Sequence, residues 1–247
     1  MARTNIKIPR CKLRTSIQKQ LINLFMSGCT ARAAARIISV NRNTTMLFFR
    51  KLRLIIQSSL NEQLMSGIVE VDETYLSSGK GGRKAAKKGR NIDGKIALVG
   101  AVERCSMRVH IERVYSTTAA TIEGFVRRNI APNAVVHTDS FRSYNHINRF
   151  GYKHKRVNHF LTFKNSKTLA CTNLIESVWA ASKRFLVRFA GGWRNNLNLW
   201  LAELCFRFEH RNNFCNEMRR ILRRATRLWL PVPPRRSGGR FLFFGNF

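Results

Sequence analysis

Lys and Arg number 45 in this 247-residue chain against 13 acids, a formal charge of +32. A carboxylate inside an apolar pattern is therefore a candidate for chemistry, not surface decoration. The three aspartates are Asp72, Asp93 and Asp139, and two of them fall in such patterns. Asp72 lies in Gly67-Ile-Val-Glu-Val-Asp-Glu-Thr-Tyr-Leu76, and Asp139 closes Ala134-Val-Val-His-Thr-Asp139. A third acid, Glu176, sits in Cys171-Thr-Asn-Leu-Ile-Glu-Ser-Val-Trp-Ala-Ala-Ser-Lys183. Three oxygen ligands suit Mg²⁺, with Mn²⁺ as a substitute, and leave places for water and a substrate phosphate. Two such ions ~3.5–4 Å apart can activate an attacking oxygen and stabilise a leaving one during displacement at phosphorus.

These acids need elements that bring them together. The β-branched and aromatic residues of 67–76 predict a strand with Glu70, Asp72 and Thr74 on one face and Glu73 on the other. That alternation makes Glu70 a fourth ligand or a spare and gives Glu73 a structural place. Lys95 to Glu103 and Arg108 to Tyr115 predict two further strands of a meander, and Thr117 or Thr118 caps a helix through Ile122, Phe125 and Val126. Asp139 ends a buried strand, where His137 shares its face and either holds phosphate or is structural. A short helix with Phe141 and Tyr144 follows, and Tyr152 to His159 reads as a last strand. In the helix of Glu176, at 100° per residue, Lys183 falls within about 20° of the acid and Asn173 within about 60°. Leu174, Ile175, Val178, Trp179, Phe185, Leu186 and Phe189 form a separate apolar stripe. An ordinary amphipathic helix has the same pattern; Asp72 and Asp139 are what give Glu176 partners. Leu197 to Phe208 predicts a packing helix.

Ahead of the strands the period is helical. Ser16 opens a first helix that Gly28 ends, Thr30 caps an Ala-rich second, and Asn43-Thr44-Thr45 begins a third. Helix, turn, helix, turn and basic helix is the order of a helix-turn-helix, which would face Thr44, Thr45, Arg50 and Lys51 to the major groove. A plain three-helix packing module is the alternative. The fold class is thus α/β, a mixed sheet flanked by helices and preceded by a small all-α module. The boundaries are 1–56 for the basic arm and helical module, 57–66 for a linker, 67–212 for the catalytic domain and 213–247 for a basic tail. Residues 77–91, with four glycines among six Lys or Arg, predict a basic loop without phosphate-loop spacing. The charge points to double-stranded DNA as partner. No apolar run approaches the ~20 residues of a membrane span, and no secretory signal pattern follows the basic N-terminus, so a cytoplasmic, nucleoid-associated protein is expected. The six cysteines are scattered and suggest neither a zinc ribbon nor disulfides.

The motifs V-D-E-T-Y, H-T-D-S, G-Y-x-H-x-x-V-N-H, T-N-x-I-E-S-x-W-x-x-x-K and F-R-F-x-x-R occur in this order. Together, over roughly residues 67 to 211, they resemble the DDE transposases of bacterial insertion sequences, in the ISXO-two-like branch. The resemblance implies a ribonuclease H-like sheet and makes Asp72, Asp139 and Glu176 the catalytic, metal-binding triad. Lys183 matches the family's DNA-contacting lysine and Asn173 its frequent asparagine. Water would cut at the element end to free a 3′-hydroxyl, which would then attack target DNA, with a homo-oligomer holding ends and target. Relatives often carry an N-terminal zinc-binding segment, and the cysteine pairs it needs are missing here. Two other functions share these features: a non-catalytic DNA-binding regulator, and a ribonuclease H-like nuclease that cuts without joining.

Overall fold

β1, Ile68–Ser77, is the centre of one five-strand sheet in a computed structural model that describes residues 6–78, 94–157 and 171–227. Asp93, His159, most of the basic loop and the last part of the tail lie outside those residues. β1 pairs antiparallel with β2, Lys95–Glu103, which pairs antiparallel with β3, Val109–Val114. On its other side β1 runs parallel to β4, Val135–Thr138, and β4 runs parallel to β5, Lys153–Arg156. The order β3-β2-β1-β4-β5, antiparallel on one half and parallel on the other, is a ribonuclease H-like mixed sheet. A parallel step needs a crossover, and α4, Ala119–Asn129, supplies it between β3 and β4.

Alternation along the strands splits the core into two layers. Val69, Val71, Ala97, Val99 and Ala101 pack against Ile122, Phe125 and Val126 of α4. Ile96, Leu98, Val102 and Ile111 face the other way, onto α5, Asn173–Val187, and α6, Leu197–Glu209. Central strands buried on both faces explain why these segments read as nearly continuous apolar runs. The short helix expected at Phe141 and Tyr144 is two 3-10 turns, Arg142–Tyr144 and Ile147–Phe150.

A separate core holds the helices that precede the sheet: α1, Thr15–Met26, α2, Ala31–Ile37, and α3, Arg42–Gln57. Thr30 caps α2 by accepting from the amide of Ala33, and Asn41 caps α3 through the amides of Asn43 and Thr44. Leu21, Phe25, Phe48, Phe49 and Leu52 fill this core together with Ala202 and Phe206 of α6. It is tied to α6 by charge as well. Arg53 bonds Glu203 at 2.6 Å and stacks over Trp200 at 3.5 Å from the ring centroid, while Arg207 bonds the same carboxylate at 2.8 Å. Glu203 is 1% exposed, so removing it would strand two guanidinium groups at this junction. The first part of the arginine-rich tail is a further helix, α7, Phe214–Arg227, whose Met218, Ile221, Leu222 and Ala225 enter the same core. Among the described residues, no helix is long and apolar enough to cross a membrane.

Candidate active site

Parallel pairing of β1 with β4 sets the acids side by side. The register Ile68↔Val135, Val69↔Val136, Glu70↔His137, continued by two residues, puts Asp72 next to Asp139. One carboxylate oxygen from each, and one from Glu73, all lie within 4.8 Å of one another. The backbone amide of Phe141 donates to Asp139 Oδ1 at 2.9 Å, and the indole Nε1–H of Trp179 donates to Asp72 Oδ2 at 3.0 Å. Trp179 reaches that oxygen because Gly100 lies opposite Asp72 on β2: a Cβ there would stand 2.5 Å from the indole ring. Burial, followed by the charges of Glu73 and Asp139, pushes Asp72 up to about 7. An all-oxygen donor set of three carboxylates this close together fits a hard divalent cation, which would relieve their mutual repulsion.

Glu73 corrects the expectation of a purely structural residue on the far face. Its neighbours Val71 and Tyr75 do pack on the α4 side, as alternation requires. Its side chain is long enough, however, to bring one carboxylate oxygen into the acid group, while Tyr144 donates to it at 2.6 Å. Tyr144 is fully buried, and burial together with the neighbouring acids raises its hydroxyl well above the ordinary range, so it stays a donor.

Glu70 is neither ligand nor spare. It is 1% exposed, and its Oε2 accepts the amides of Leu174 and Ile175 at 2.9 and 3.0 Å, while Arg104 Nε donates to Oε1 at 2.8 Å. These amides belong to the first turn of α5, whose N-cap residue Thr172 makes no side-chain cap. A strand carboxylate thus replaces the local cap and docks the helix on the sheet. His137, beside Glu70, is 2% exposed and accepts from the amide of Cys171 at 3.4 Å; burial and then Arg104 lower it to about 4. It is a buried neutral imidazole whose Nδ1 is taken by the Cys171 amide.

Docked this way, α5 presents Asn173, Glu176 and Lys183 to solvent, on the face the spacing predicts. Glu176 accepts from Thr172 Oγ1 at 3.1 Å and precedes Trp179 by three residues. The group within 4.8 Å consists of Asp72, Glu73 and Asp139 and does not include it.

The helical module departs further from expectation. Thr45 is fully buried, its hydroxyl on the carbonyl of Asn41 at 3.2 Å, because it shares the stripe of Phe48, Phe49 and Leu52. Lys51 Nζ is occupied by the carbonyls of Arg10, at 2.7 Å, and Pro9. Thr45 does not face outward, and Lys51 is half-buried with its ammonium bonded back onto the chain. Thr44 and Arg50 are half-buried, and the exposed residues of α3 include Arg42, Asn43, Met46 and Leu47. Between α2 and α3 an open cleft of about 430 Å³ is lined by Arg32, Ala35, Arg36, Val40 and Arg42. Among the described residues, none of these three arginines has a carboxylate partner. Arg32 and Arg36 are four apart on one face of α2, a spacing visible in the sequence once the helix is drawn.

A family model described as the ISXO2-like transposase domain matches residues 64–209. The chain belongs to this family. A Haemophilus influenzae protein described as an uncharacterized transposase-like protein is 30% identical over 103 residues, which cover 42% of this chain and 82% of that protein. Two solved structures of the HTLV-2 integrase catalytic core domain in complex with magnesium, one dimeric and one trimeric, are similar at a TM-score of 0.35. They are 13% and 15% identical and cover 60% of this chain, and 88% and 87% of their own. The transposase-domain match spans Glu70, Asp72, Glu73, Asp139, Glu176 and Lys183, and leaves α1 to α3 and α7 outside it.

Proposed function

We propose that this transposase-family chain cuts the ends of an insertion sequence and joins the freed 3′-hydroxyl to target DNA, with a divalent metal, Mg²⁺ or Mn²⁺, at the acid group of β1 and β4. One observation carries the reading: Asp72 on β1 and Asp139, directly after the parallel strand β4, each bring a carboxylate oxygen into a 4.8 Å group. Asp72 and Asp139 would hold the metal, and Glu176 of α5, the family's third acid, would complete the set, with Glu73 as its rival for that place. The ion, when bound, would offset the charge of a phosphodiester and of the oxygens entering and leaving it. The protein's own groups do the positioning. Trp179 and the Phe141 amide each orient one aspartate by a bond to a single carboxylate oxygen. Tyr144 keeps Glu73 in place, and the Glu70 cap sets the height of α5 on the sheet.

Residues 1–56 would serve as the DNA-binding module and residues 67–212 as the catalytic domain, acting in the cytoplasm on double-stranded DNA as a homo-oligomer. Arg32, Arg36 and Arg42 would take backbone phosphates, while Asn43, Leu47 and Arg50 of α3 meet the groove; Lys183 and Asn173 would contact DNA beside the acids. The test is cutting and joining of terminal-repeat DNA by purified protein with Mg²⁺. Asp139→Ala loses both, and a variant that still cut and joined would overturn the reading. Strand transfer by the parent separates a transposase from a nuclease, which leaves cleaved ends. Mn²⁺ titration of Glu176→Gln beside Glu73→Gln identifies the third ligand, since the weaker binder has lost it.

A further inference from the structure

α7 lies outside the span matched to the transposase domain, yet it is built into the fold. Met218, Ile221, Leu222 and Ala225 are buried against α1 and α3. At 100° per residue, Arg219, Arg220, Arg223 and Arg224 fan over about 140° centred opposite that apolar stripe. All four are exposed. The one acid on the helix, Glu217, bonds Arg220 at 2.6 Å, and Arg219 donates to the amide oxygen of Asn216 at 3.5 Å. Among the described residues, Arg223 and Arg224 have no carboxylate partner.

Packing alone would need only the inner face of this helix. Arginines at i, i+1, i+4 and i+5 place like charges in neighbouring rows, where they repel unless something anionic lies across them. A solvated face would be served as well by mixed charge. A single-sign face on a helix that shares its core with the candidate DNA-binding helices has the charge complement of a polyphosphate backbone.

We infer that α7 is a fourth wall of the DNA-binding module, contacting the backbone of duplex DNA without regard to sequence. The module is then discontinuous along the chain: α1 to α3 come before the catalytic sheet and α7 after it. The inference rests on the DNA-binding reading above.

The experiment uses the full chain and a short duplex lacking any terminal repeat, with Kd measured between about 50 and 200 mM salt. R219Q/R223Q/R224Q is compared with R113Q/R127Q/R149Q, which removes the same charge from exposed positions elsewhere. Because every substituted side chain is exposed, the melting temperature should stay at the parent value. The α7 variant should bind about tenfold or more weakly at the lower salt. Its slope of log affinity against log salt should flatten by about 0.9 for each phosphate no longer neutralised, up to about 3. The control should keep the parent slope. A parent that binds while the α7 variant matches the control overturns this inference alone. A parent that binds duplex at no salt concentration overturns the DNA-binding reading, and this inference with it.

Discussion

The acid group of the sheet and the arginine faces of the helical module handle charge in opposite ways. On β1 and β4, carboxylates are half-buried or buried, crowded within 4.8 Å, and each is aimed by a specific donor: Trp179 on Asp72, the Phe141 amide on Asp139, Tyr144 on Glu73. In the cleft between α2 and α3, Arg32, Arg36 and Arg42 are exposed and have no carboxylate partner among the described residues. One region spends fold stability on holding like charges at fixed positions; the other leaves them on long side chains in water. A fixed, desolvated group is sensitive to a displacement of a single atom, whereas a solvated cationic surface responds in proportion to its charge.

The largest effect is expected at Gly100, where the fixed side of the contrast can be broken. Gly100→Ala puts a methyl against the rigid Trp179 ring, so the indole must leave Asp72 while both carboxylates remain. Cutting or divalent-metal affinity should fall about 10–100-fold, the usual effect of losing a group that orients a ligand. Trp179→Phe, which keeps an aromatic ring but not the N–H, should reproduce much of the loss. Unchanged Mn²⁺ affinity in both variants would show that the acids are not held by their donors, and the contrast would fall.

Next comes Glu70, which touches no substrate in this reading. Glu70→Gln keeps the shape but weakens two amide bonds to α5 and leaves Arg104 without its counter-charge. The cost should be about 2–4 kcal/mol, read from urea denaturation. A change below about 0.5 kcal/mol would mean that α5 is seated by Ile175, Val178 and Trp179 alone.

What was legible in the sequence divides along the same line. Strand alternation and the scarcity of aspartate located Asp72 and Asp139, because both signals are local. The job of Glu70 was not legible, since its partners Leu174 and Ile175 are 104 and 105 residues away and a cap supplied by a distant strand leaves no trace beside the helix. Trp179 read as packing, which it is, but its N–H serves an acid 107 residues distant. Glu73 shows that alternation predicts where Cβ points and not where a carboxylate ends. Thr45 could have been found, for positions 45, 48, 49 and 52 form one helical stripe. Lys51 could not, because backbone carbonyls of Pro9 and Arg10 capture it.

Arg36 tests the solvated side of the contrast. Arg36→Gln should weaken binding to duplex DNA only a few-fold, uniformly across sequences, and flatten the salt slope by about 1. Melting should not change, because the side chain is exposed and makes no ion pair among the described residues. A loss confined to one DNA sequence would instead make Arg36 a reader of bases.

The smallest effect belongs to an acid that lives by neither rule. Glu112 on β3 is half-buried, which by itself would raise its pKa, yet hydrogen bonds from His110, Asn129 and Arg128 hold it down to about 2. Asp72, raised by burial and then by acids where Glu112 has donors, goes the other way to about 7. A carboxylate whose folded pKa lies below its unfolded value of about 4.3 stabilises the fold above that pH, and the contribution disappears as pH falls through about 2. Glu112→Gln should therefore lower stability by no more than about 1 kcal/mol near neutral pH, since Arg128 is 60% exposed and screened. The gap between variant and parent should narrow from about pH 5 downward and close near pH 2. A gap that stayed constant across that range would assign the loss to packing of the side chain and not to its charge.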